Sequence, residues 1–396
     1  MPEPLRDERY YKGIIGKTEA EPRIMKVLGI ETSCDECAAA VVEDGYKVLS
    51  NVINSQISVH APYNGVVPEI ASRQHAEWIL PVVQEALDRS NTGIGGIDAV
   101  AASNRPGLLG ALLVGLNFAK AFAWAKNLPF VAVDHMLAHL YASRLDLGNT
   151  ENRPISPSYP FLGLLVSGGH SIICRADDFD DITILGVTID DAAGEAFDKV
   201  SKHYGFGYPG GAVIDKLAKN GNPGAYNFPL PNLYKGKNPC DFSYSGLKTA
   251  VIHQLDKFRV SPGLAAGTRT DQTPATSPGT NETGRGILSL QEAADIAASF
   301  QKTAVDILLR GLFGAVEITG IKTVVCGGGV AANSLLRARL AEQKELVCIF
   351  PPMELCGDNG AMIAGIGYRY LARGERSPLT VTASARVQGF KRKLRE

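Results

Sequence analysis

The chain has 396 residues, a length that predicts two domains of ordinary size rather than a single core. Hydrophobic residues make up 45% and charged residues 20%, which is typical of a soluble globular protein and excludes a disordered or fibrous one. The formal net charge of -1 excludes a global electrostatic attraction to nucleic acid, so any such binding must use a local patch.

The sequence also bears on the cellular compartment. No apolar run is long enough for a membrane span, and the acidic N-terminal stretch lacks the features of a signal or transit peptide. Seven cysteines, scattered and partly within apolar stretches, favour reduced thiols over a disulfide framework. We therefore expect a cytoplasmic protein with no membrane contact.

Residues 1–24 are mostly polar and without periodicity, so we expect an extension outside the fold. From residue 25 the chain reads as strand, polar turn, strand, turn and strand, which predicts a three-stranded meander. The elements predicted next are helix 71–89, strand 97–102, helix 108–126 and strand 128–133.

The next element carries two histidines, His135 and His139, on one face of a helix that directly follows a buried strand. Neutral imidazoles at this spacing can supply two adjacent metal ligands without strain. Open α/β sheets hold their ligands at the carboxyl ends of strands, and this location favours a metal site. The pair still needs a third ligand, and ordinary half-buried histidines are the alternative.

After a Pro- and Ser-rich joint at 152–160, a second strand–turn–strand–turn–strand pattern begins at Phe161, which suggests an internal duplication. Between its first two strands, the turn 167–170 offers backbone N–H groups for a phosphate or carboxylate; a plain hairpin is the alternative. Residues 259–286, rich in Ser, Thr, Pro and Gly, are predicted to be a mobile surface loop. The remaining predicted elements are helices 190–204, 212–219, 291–315, 333–343 and 360–373, and strands 322–326 and 346–350.

Two stretches near the C-terminus carry candidate ligands. Residues 326–333 join a strand to a helix through three glycines, and we favour close approach to a nucleotide over a tight connection with Asn333 as N-cap. Asp358 on its own is best interpreted as an N-cap. It is also the best-placed carboxylate to complete a His/His/Asp site, which would leave open positions on the metal.

Charged residues recur in two other places. The four acids of 190–198 can form a solvated helix face. Alternatively, Asp198 contacts a hydroxyl or amine of a ligand, in a pocket whose opposite side is formed by Gly211 and Asp215. The basic run 386–396 is either a solvated tail or a patch for nucleic acid.

Taken in order, these motifs resemble the TsaD family of tRNA threonylcarbamoyladenosine synthases, which belongs to the actin-like ATPase superfamily. The resemblance runs from about residue 25 to residue 386. The motifs that carry it are Gly29–Asp35, His135-x-x-x-His139, Leu165–His170, Asp190–Lys199, Tyr208–Gly211, Ser245–Thr249, Gly327–Asn333 and Asp358–Gly360.

The resemblance implies an α/β fold of two actin-like (ribonuclease H-like) lobes, residues 25–155 and 156–385, with the ligand in the cleft between them. Helix 360–373 belongs to the second lobe in sequence but can pack against the first lobe. The implied reaction transfers a threonylcarbamoyl group from threonylcarbamoyl-AMP to the N6 amine of the adenosine adjacent to the anticodon in tRNA.

By the family pattern, His135, His139 and Asp358 bind one divalent metal ion per subunit, with iron first and zinc or magnesium as alternatives. The implied partners are tRNA, a shorter paralogue and a small ATPase of the same pathway. The general base is missing from this pattern, and we predict Asp35 from its position in the first turn. The residues that would line the substrate pocket are Leu165, Val166, Ser167, Gly168, Gly169, Asp198, Gly211, Asp215 and Asn333.

The alternative function is a metal-dependent endopeptidase of the glycoprotease type, because the spacing of His135 and His139 suggests zinc. Against it, Met136 stands where H-E-x-x-H enzymes place their glutamate base. A sugar or acetate kinase would not need the histidine pair, and a nucleotide-regulated scaffold would not need a metal.

Overall fold

The computed structural model describes residues 24–63, 65–148, 156–231, 238–259, 286–387 and 390–392. Nearly all of the predicted N-terminal extension and of the predicted 259–286 loop therefore lies outside the described residues, and those predictions stay open. The boundary predicted at 155/156 also adjoins residues that are not described.

The first sheet has five strands in the order β3-β2-β1-β4-β5. The meander β1–β2–β3 is antiparallel, while β4 and β5 run parallel to β1. These strands are β1 (Lys26–Glu31), β2 (Glu36–Glu43), β3 (Lys47–Ser55), β4 (Ala99–Arg105) and β5 (Phe130–Asp134). The helices of this part of the chain are α1 (Ile57–His60), α2 (Pro68–Arg89), α3 (Leu109–Lys126) and α4 (His135–Tyr141).

The second sheet repeats this arrangement. Its strand order is β12-β11-β6-β7-β8-β13, in which β6–β7–β8 is an antiparallel meander and β11 and β12 run parallel to β6. Its strands are β6 (Phe161–Val166), β7 (Ser171–Ala176), β8 (Ile182–Val187), β11 (Thr323–Gly327), β12 (Val347–Ile349) and β13 (Phe390–Arg392). A separate parallel pair is formed by β9 (Phe258–Arg259) and β10 (Gly286–Ile287).

The helices of the second half are α5 (Ala193–Tyr204), α6 (Gly210–Ala218), α7 (Ser245–Leu255), α8 (Leu290–Thr319), α9 (Ser334–Ala341) and α10 (Gly360–Ala372). Apart from the added β13, the two sheets have the same strand order and directions. The α/β fold class is thus confirmed, and the shared topology supports the internal duplication suggested by the sequence.

Two helices fill the layer between the sheets. One buried apolar cluster joins residues of the first sheet, α4, α10 and the second sheet. Helix α4 contacts β5 of the first sheet and β6 and β11 of the second. Helix α10 follows β12 of the second sheet in sequence but packs against β1, β2 and β4 of the first. The residues that begin these two helices are therefore brought to the junction between the sheets.

Two segments form secondary structure that the sequence analysis did not predict. Residues 245–249, for which the sequence predicts no helix, begin helix α7, because the Asp190 carboxylate accepts hydrogen bonds from the backbone N–H groups of Tyr244 and Ser245. Phe390–Arg392, within the predicted basic tail, pairs with β8, and Lys391 Nζ lies 2.8 Å from Asp181. Both changes depend on partners far away in the sequence.

No helix in the described part of the chain is both long and apolar enough to cross a bilayer. The seven cysteines all lie in described segments, and none of them is in a disulfide.

Candidate metal centre and substrate cleft

The two histidines lie on α4, a helix whose N-terminus is capped by a carboxylate. Asp134, the last residue of β5, accepts hydrogen bonds from the backbone N–H groups of Met136 (2.9 Å) and Leu137 (3.4 Å), and so caps α4. One turn apart on this helix, His135 and His139 are both buried, and their Nε2 atoms lie 3.1 Å from each other. The pair therefore presents two nitrogen donors to one point.

The third donor comes from the residue before α10. Asn359, not Asp358, caps this helix by accepting a hydrogen bond from Met362 N, which leaves the Asp358 carboxylate to face the histidines. Asp358 Oδ1 lies 3.1 Å from His139 Nε2 and 3.6 Å from His135 Nε2. One ligand atom from each of the three residues lies within 4.8 Å of the others. The structure thus brings the three predicted ligands together.

A second carboxylate orients the first histidine. Glu31, at the end of β1, is fully buried, and its Oε2 lies 2.9 Å from His135 Nδ1. Ser33 Oγ lies 3.2 Å from the same nitrogen and 3.4 Å from Asp358 Oδ2. A histidine that donates its Nδ1–H to a carboxylate presents the lone pair of Nε2 to a metal. The sequence interpretation assigned no role to Glu31 or Ser33.

The electrostatics of the cluster suit a cation. Burial lowers the pKa of His135, but the carboxylates of Asp358 and Glu31 outweigh burial and raise this pKa to about 9. Burial and the neighbouring His135 lower the pKa of His139. Burial raises the pKa of Asp358, but the two histidines reverse this effect and hold it below its usual range. The carboxylates of Glu31 and Asp358 thus favour one positive charge at this point, which a proton or a divalent cation can supply.

The glycines of the turns 167–170 and 327–329 are of two kinds, those packed against other backbone and those with open space beside them. A Cβ added to Gly327 would lie 2.7 Å from the carbonyl oxygen of His139, and one added to Gly328 would lie 2.4 Å from that of Val166. The close packing of this turn against the backbones of α4 and β6 therefore explains why these two positions are glycine, and no bound ligand is needed to explain them. A Cβ added to Gly168, Gly169 or Gly329 would meet no atom within 4 Å. These three positions leave backbone groups accessible to a bound molecule.

The side chains of three other predicted pocket residues contact the N-termini of α6 and α9. Asp198 accepts a hydrogen bond of 2.7 Å from Gly210 N at the start of α6, and burial raises its pKa. Asp215 accepts hydrogen bonds from the backbone N–H and the hydroxyl of Ser334 at the start of α9. Asn333 caps α9 by accepting a hydrogen bond from Leu336 N.

The remaining pocket predictions concern β6 and the open start of α6. The side chains of Leu165 and Val166 are buried in the core, so any contact they make with a substrate must come from the backbone. Ser167 accepts a hydrogen bond from His170 N through its hydroxyl. A Cβ added to Gly211 would meet no atom within 4 Å, as at the open glycines of the turns.

Comparison with known proteins identifies the family. The family model described as "TsaD: tRNA N6-adenosine threonylcarbamoyltransferase" matches residues 47–365. A protein of Treponema denticola named tRNA N6-adenosine threonylcarbamoyltransferase is 59% identical over 94% of this chain and 100% of its own length. The chain belongs to the TsaD family. A relative of the same name from Treponema pallidum subsp. pallidum is 50% identical over 93% of this chain and 95% of its own length. These findings confirm the resemblance and do not favour the glycoprotease alternative.

Among solved structures, full-length HypF in the phosphate- and nucleotide-bound form superposes with a TM-score of 0.50 at 14% identity. The match covers 89% of this chain and 47% of HypF. At this identity the likeness concerns the fold alone, and it agrees with two related sheets of actin-like topology.

In this member of the TsaD family, Asp35 lies in the turn between β1 and β2 and is 8% exposed. Tyr208, from the segment before α6, places its hydroxyl 3.5 Å from Asp35 Oδ2. The charge of Asp35 also contributes to raising the pKa of Asp198, after burial. The predicted base is thus close to residues of the second half of the chain.

Glu36 was also missed by the sequence interpretation. Burial, followed by the charges of Asp35 and Asp358, raises the pKa of Glu36 well above its usual value. In its protonated form Glu36 can donate a hydrogen bond to Asp35. The adjacent acids at the end of the turn and the start of β2 were the available signal, but the sequence alone could not show that the two carboxyls share one environment.

Proposed function

We propose that the chain transfers the threonylcarbamoyl group of threonylcarbamoyl-AMP to the N6 amine of the adenosine adjacent to the anticodon in tRNA, with one divalent metal bound by His135, His139 and Asp358. The observation that carries this proposal is the convergence of these three side chains from α4 and the start of α10. The family membership supplies the class of reaction.

The donor set favours particular metals. Two imidazole nitrogens and one carboxylate oxygen suit iron(II) or zinc, whereas magnesium prefers oxygen ligands throughout. We therefore propose iron or zinc ahead of magnesium. Such an ion, when bound with open positions, supplies positive charge for the phosphate of the adenylate leaving group. Glu31 keeps His135 in the orientation that binding requires, because its carboxylate accepts the Nδ1 proton.

The substrate carbonyl requires positioning, because the N6 amine is a weak nucleophile whose lone pair is delocalised into the adenine ring. We propose that the open turn at Gly168 and Gly169 directs backbone N–H groups to the donor molecule. Asp198 is proposed to hold polar groups of that molecule near the start of α6, and Asp215 and Asn333 near the start of α9.

Proton removal is assigned to Asp35. As the bond from N6 to the carbamoyl carbon forms and the bond from that carbon to the phosphate oxygen breaks, the amine loses a proton. The Asp35 carboxylate is proposed to accept this proton, and Glu36 and Tyr208 orient it by hydrogen bonds. The buried position of Asp35 limits competition from water.

The proposed partners are the tRNA substrate, a shorter paralogue of this chain and a small ATPase of the same pathway. The test is a transfer assay with purified chain, with and without those partners, on unmodified tRNA and threonylcarbamoyl-AMP. We expect the product nucleoside from the wild-type chain and a loss of at least about 100-fold with Asp358→Asn. Metal-dependent cleavage of a peptide substrate, with tRNA left unmodified, would overturn the proposal.

A further inference from the structure

The turn between β1 and β2 carries groups that the proposed reaction needs to hold in place. Ser33 contacts both His135 and Asp358, and Asp35 is the proposed base. Residues 32–35 of this turn belong to no helix or strand. Its position must therefore be fixed by contacts with other parts of the chain.

Three consecutive carbonyl groups of the turn each accept a hydrogen bond from a different element. The carbonyl oxygen of Ser33 accepts from Leu108 N at 2.8 Å, before α3. That of Cys34 lies 2.8 Å from Nε2 of His75, on α2. That of Asp35 accepts from Gln56 N at 2.9 Å, directly after β3. Of these donors, His75 alone uses a side chain, so it is the contact that depends on residue identity.

The ring of His75 is held in one protonation state. His75 is fully buried, and since a carbonyl oxygen can only accept, its Nε2 must carry the proton. Burial lowers the pKa of His75, which favours the neutral ring. Its Nδ1 is buried with no hydrogen-bond partner among the described residues. An unsatisfied buried nitrogen costs about 1–3 kcal/mol, so a residue required for packing alone would be expected to be apolar here.

We propose that His75 is a positioning residue of the transferase: its Nε2–H fixes the Cys34 carbonyl and so sets where Asp35 meets the adenosine amine. This inference rests on the proposed function and adds a residue of α2 to it. His75 does not touch substrate or metal in this proposal. Its effect is transmitted through the backbone of one turn, from Cys34 to the adjacent Asp35.

Two substitutions separate donation at Nε2 from other properties of the ring. The amide nitrogen of glutamine is as many bonds from Cα as Nε2 of histidine, whereas that of asparagine corresponds to Nδ1. His75→Gln should therefore retain the hydrogen bond to Cys34, while His75→Asn and His75→Leu should lose it. His253, exposed on α7, offers a control substitution, His253→Gln.

The experiment measures single-turnover transfer, KM for tRNA, zinc affinity and melting temperature for each full-length variant. We expect His75→Asn and His75→Leu to lower the transfer rate about 10- to 100-fold, because small displacements of a reacting group have effects of this size. KM and zinc affinity should change by less than about threefold, and His75→Gln should restore at least about a third of the wild-type rate.

Three outcomes would overturn the inference: equal rates in all variants, equal losses in His75→Gln and His75→Leu, or a lower melting temperature that accounts for the whole loss. Absence of transfer by the wild-type chain would instead contradict the proposed function. The two failures are therefore distinguishable.

Discussion

Nδ1 of His135 lies 2.9 Å from Oε2 of Glu31, although the two residues are 104 positions apart in the chain. The contact joins the end of β1 to the first residue of α4, and both side chains are buried. Because Glu31 is ionic and fully buried, its hydrogen bond to the imidazole also helps to compensate for its own burial.

Substitution of Glu31 tests this contact. Glu31→Gln retains an acceptor but removes the negative charge, so we expect zinc affinity to fall about tenfold, the low end of the 10- to 100-fold range for partners of metal ligands. The measurement is titration of the metal-free protein with zinc against a competing chelator. The control is Glu317→Gln, at an exposed position of α8. Unchanged affinity in Glu31→Gln would show that the carboxylate does not support the ligand.

The contact between β1 and α10 positions Asp358 against the histidines. A Cβ at Gly29 would lie 2.2 Å from the carbonyl oxygen of Gly360 and 2.5 Å from the backbone nitrogen of Ala364. Since both neighbours are backbone, Gly29→Ala must separate the strand from the helix. We expect the free energy of unfolding to fall by about 1–3 kcal/mol, together with weaker zinc binding. Chemical denaturation measures the first and zinc titration the second.

Gly95→Ala is the matched control, because a Cβ at Gly95 would meet no atom within 4 Å. This substitution should leave both stability and zinc binding close to wild type. If the Gly29→Ala variant were as stable as the Gly95→Ala variant, β1 and α10 could not pack as closely as described here.

The parts of the site that could be predicted from the sequence are those encoded locally. The spacing of His135 and His139, and the strand before them, indicated two ligands on one helix face. Asp358 could be proposed from its position after a predicted strand and from the family resemblance, but the sequence alone could not show that it reaches His139, 219 positions away. Glu31 was not selected at all, because nothing near it in the sequence shows which imidazole it meets.

The glycines of 327–329 illustrate the same limit. Their number suggested a nucleotide, but two of them are required by the backbones of α4 and β6. Close packing between two elements and close approach of a ligand both require glycine, so the sequence does not distinguish them. The strand–turn–strand–turn–strand pattern at the start of each half, by contrast, is local, and the two antiparallel meanders were predictable from it.

Acid should weaken the start of α7 through Asp190. Burial raises the pKa of this carboxyl, but hydrogen bonds from Ser243, Ser245 and two backbone N–H groups outweigh burial and lower it. As the pH is lowered, Asp190 therefore binds a proton in the unfolded chain before it does so in the folded chain. The stability that Asp190 contributes is present above a pH of about 4 and is lost as the pH falls through its folded-state pKa.

We expect Asp190→Asn to be less stable than wild type at pH 7, with the difference narrowing as the pH is lowered from about 5 to about 3. Ser243→Ala, which removes one donor, should show a smaller effect in the same direction. Urea denaturation at fixed pH values measures each difference. A gap between wild type and Asp190→Asn that stays constant over this range would contradict the assignment.

The assignment of Asp35 as the base predicts a rate effect that is separate from binding. Asp35→Asn keeps the size and polarity of the side chain but cannot accept the amine proton, so single-turnover transfer should fall about 100- to 10,000-fold. Zinc affinity should stay near wild type, because Asp35 is not one of the three ligands. The KM for tRNA should also change little, since a general base acts mainly in the transition state. Asp256→Asn, on the exposed surface at the end of α7, is the control. A transfer rate in Asp35→Asn within about threefold of this control would exclude Asp35 as the base and direct attention to the adenylate phosphate as the proton acceptor.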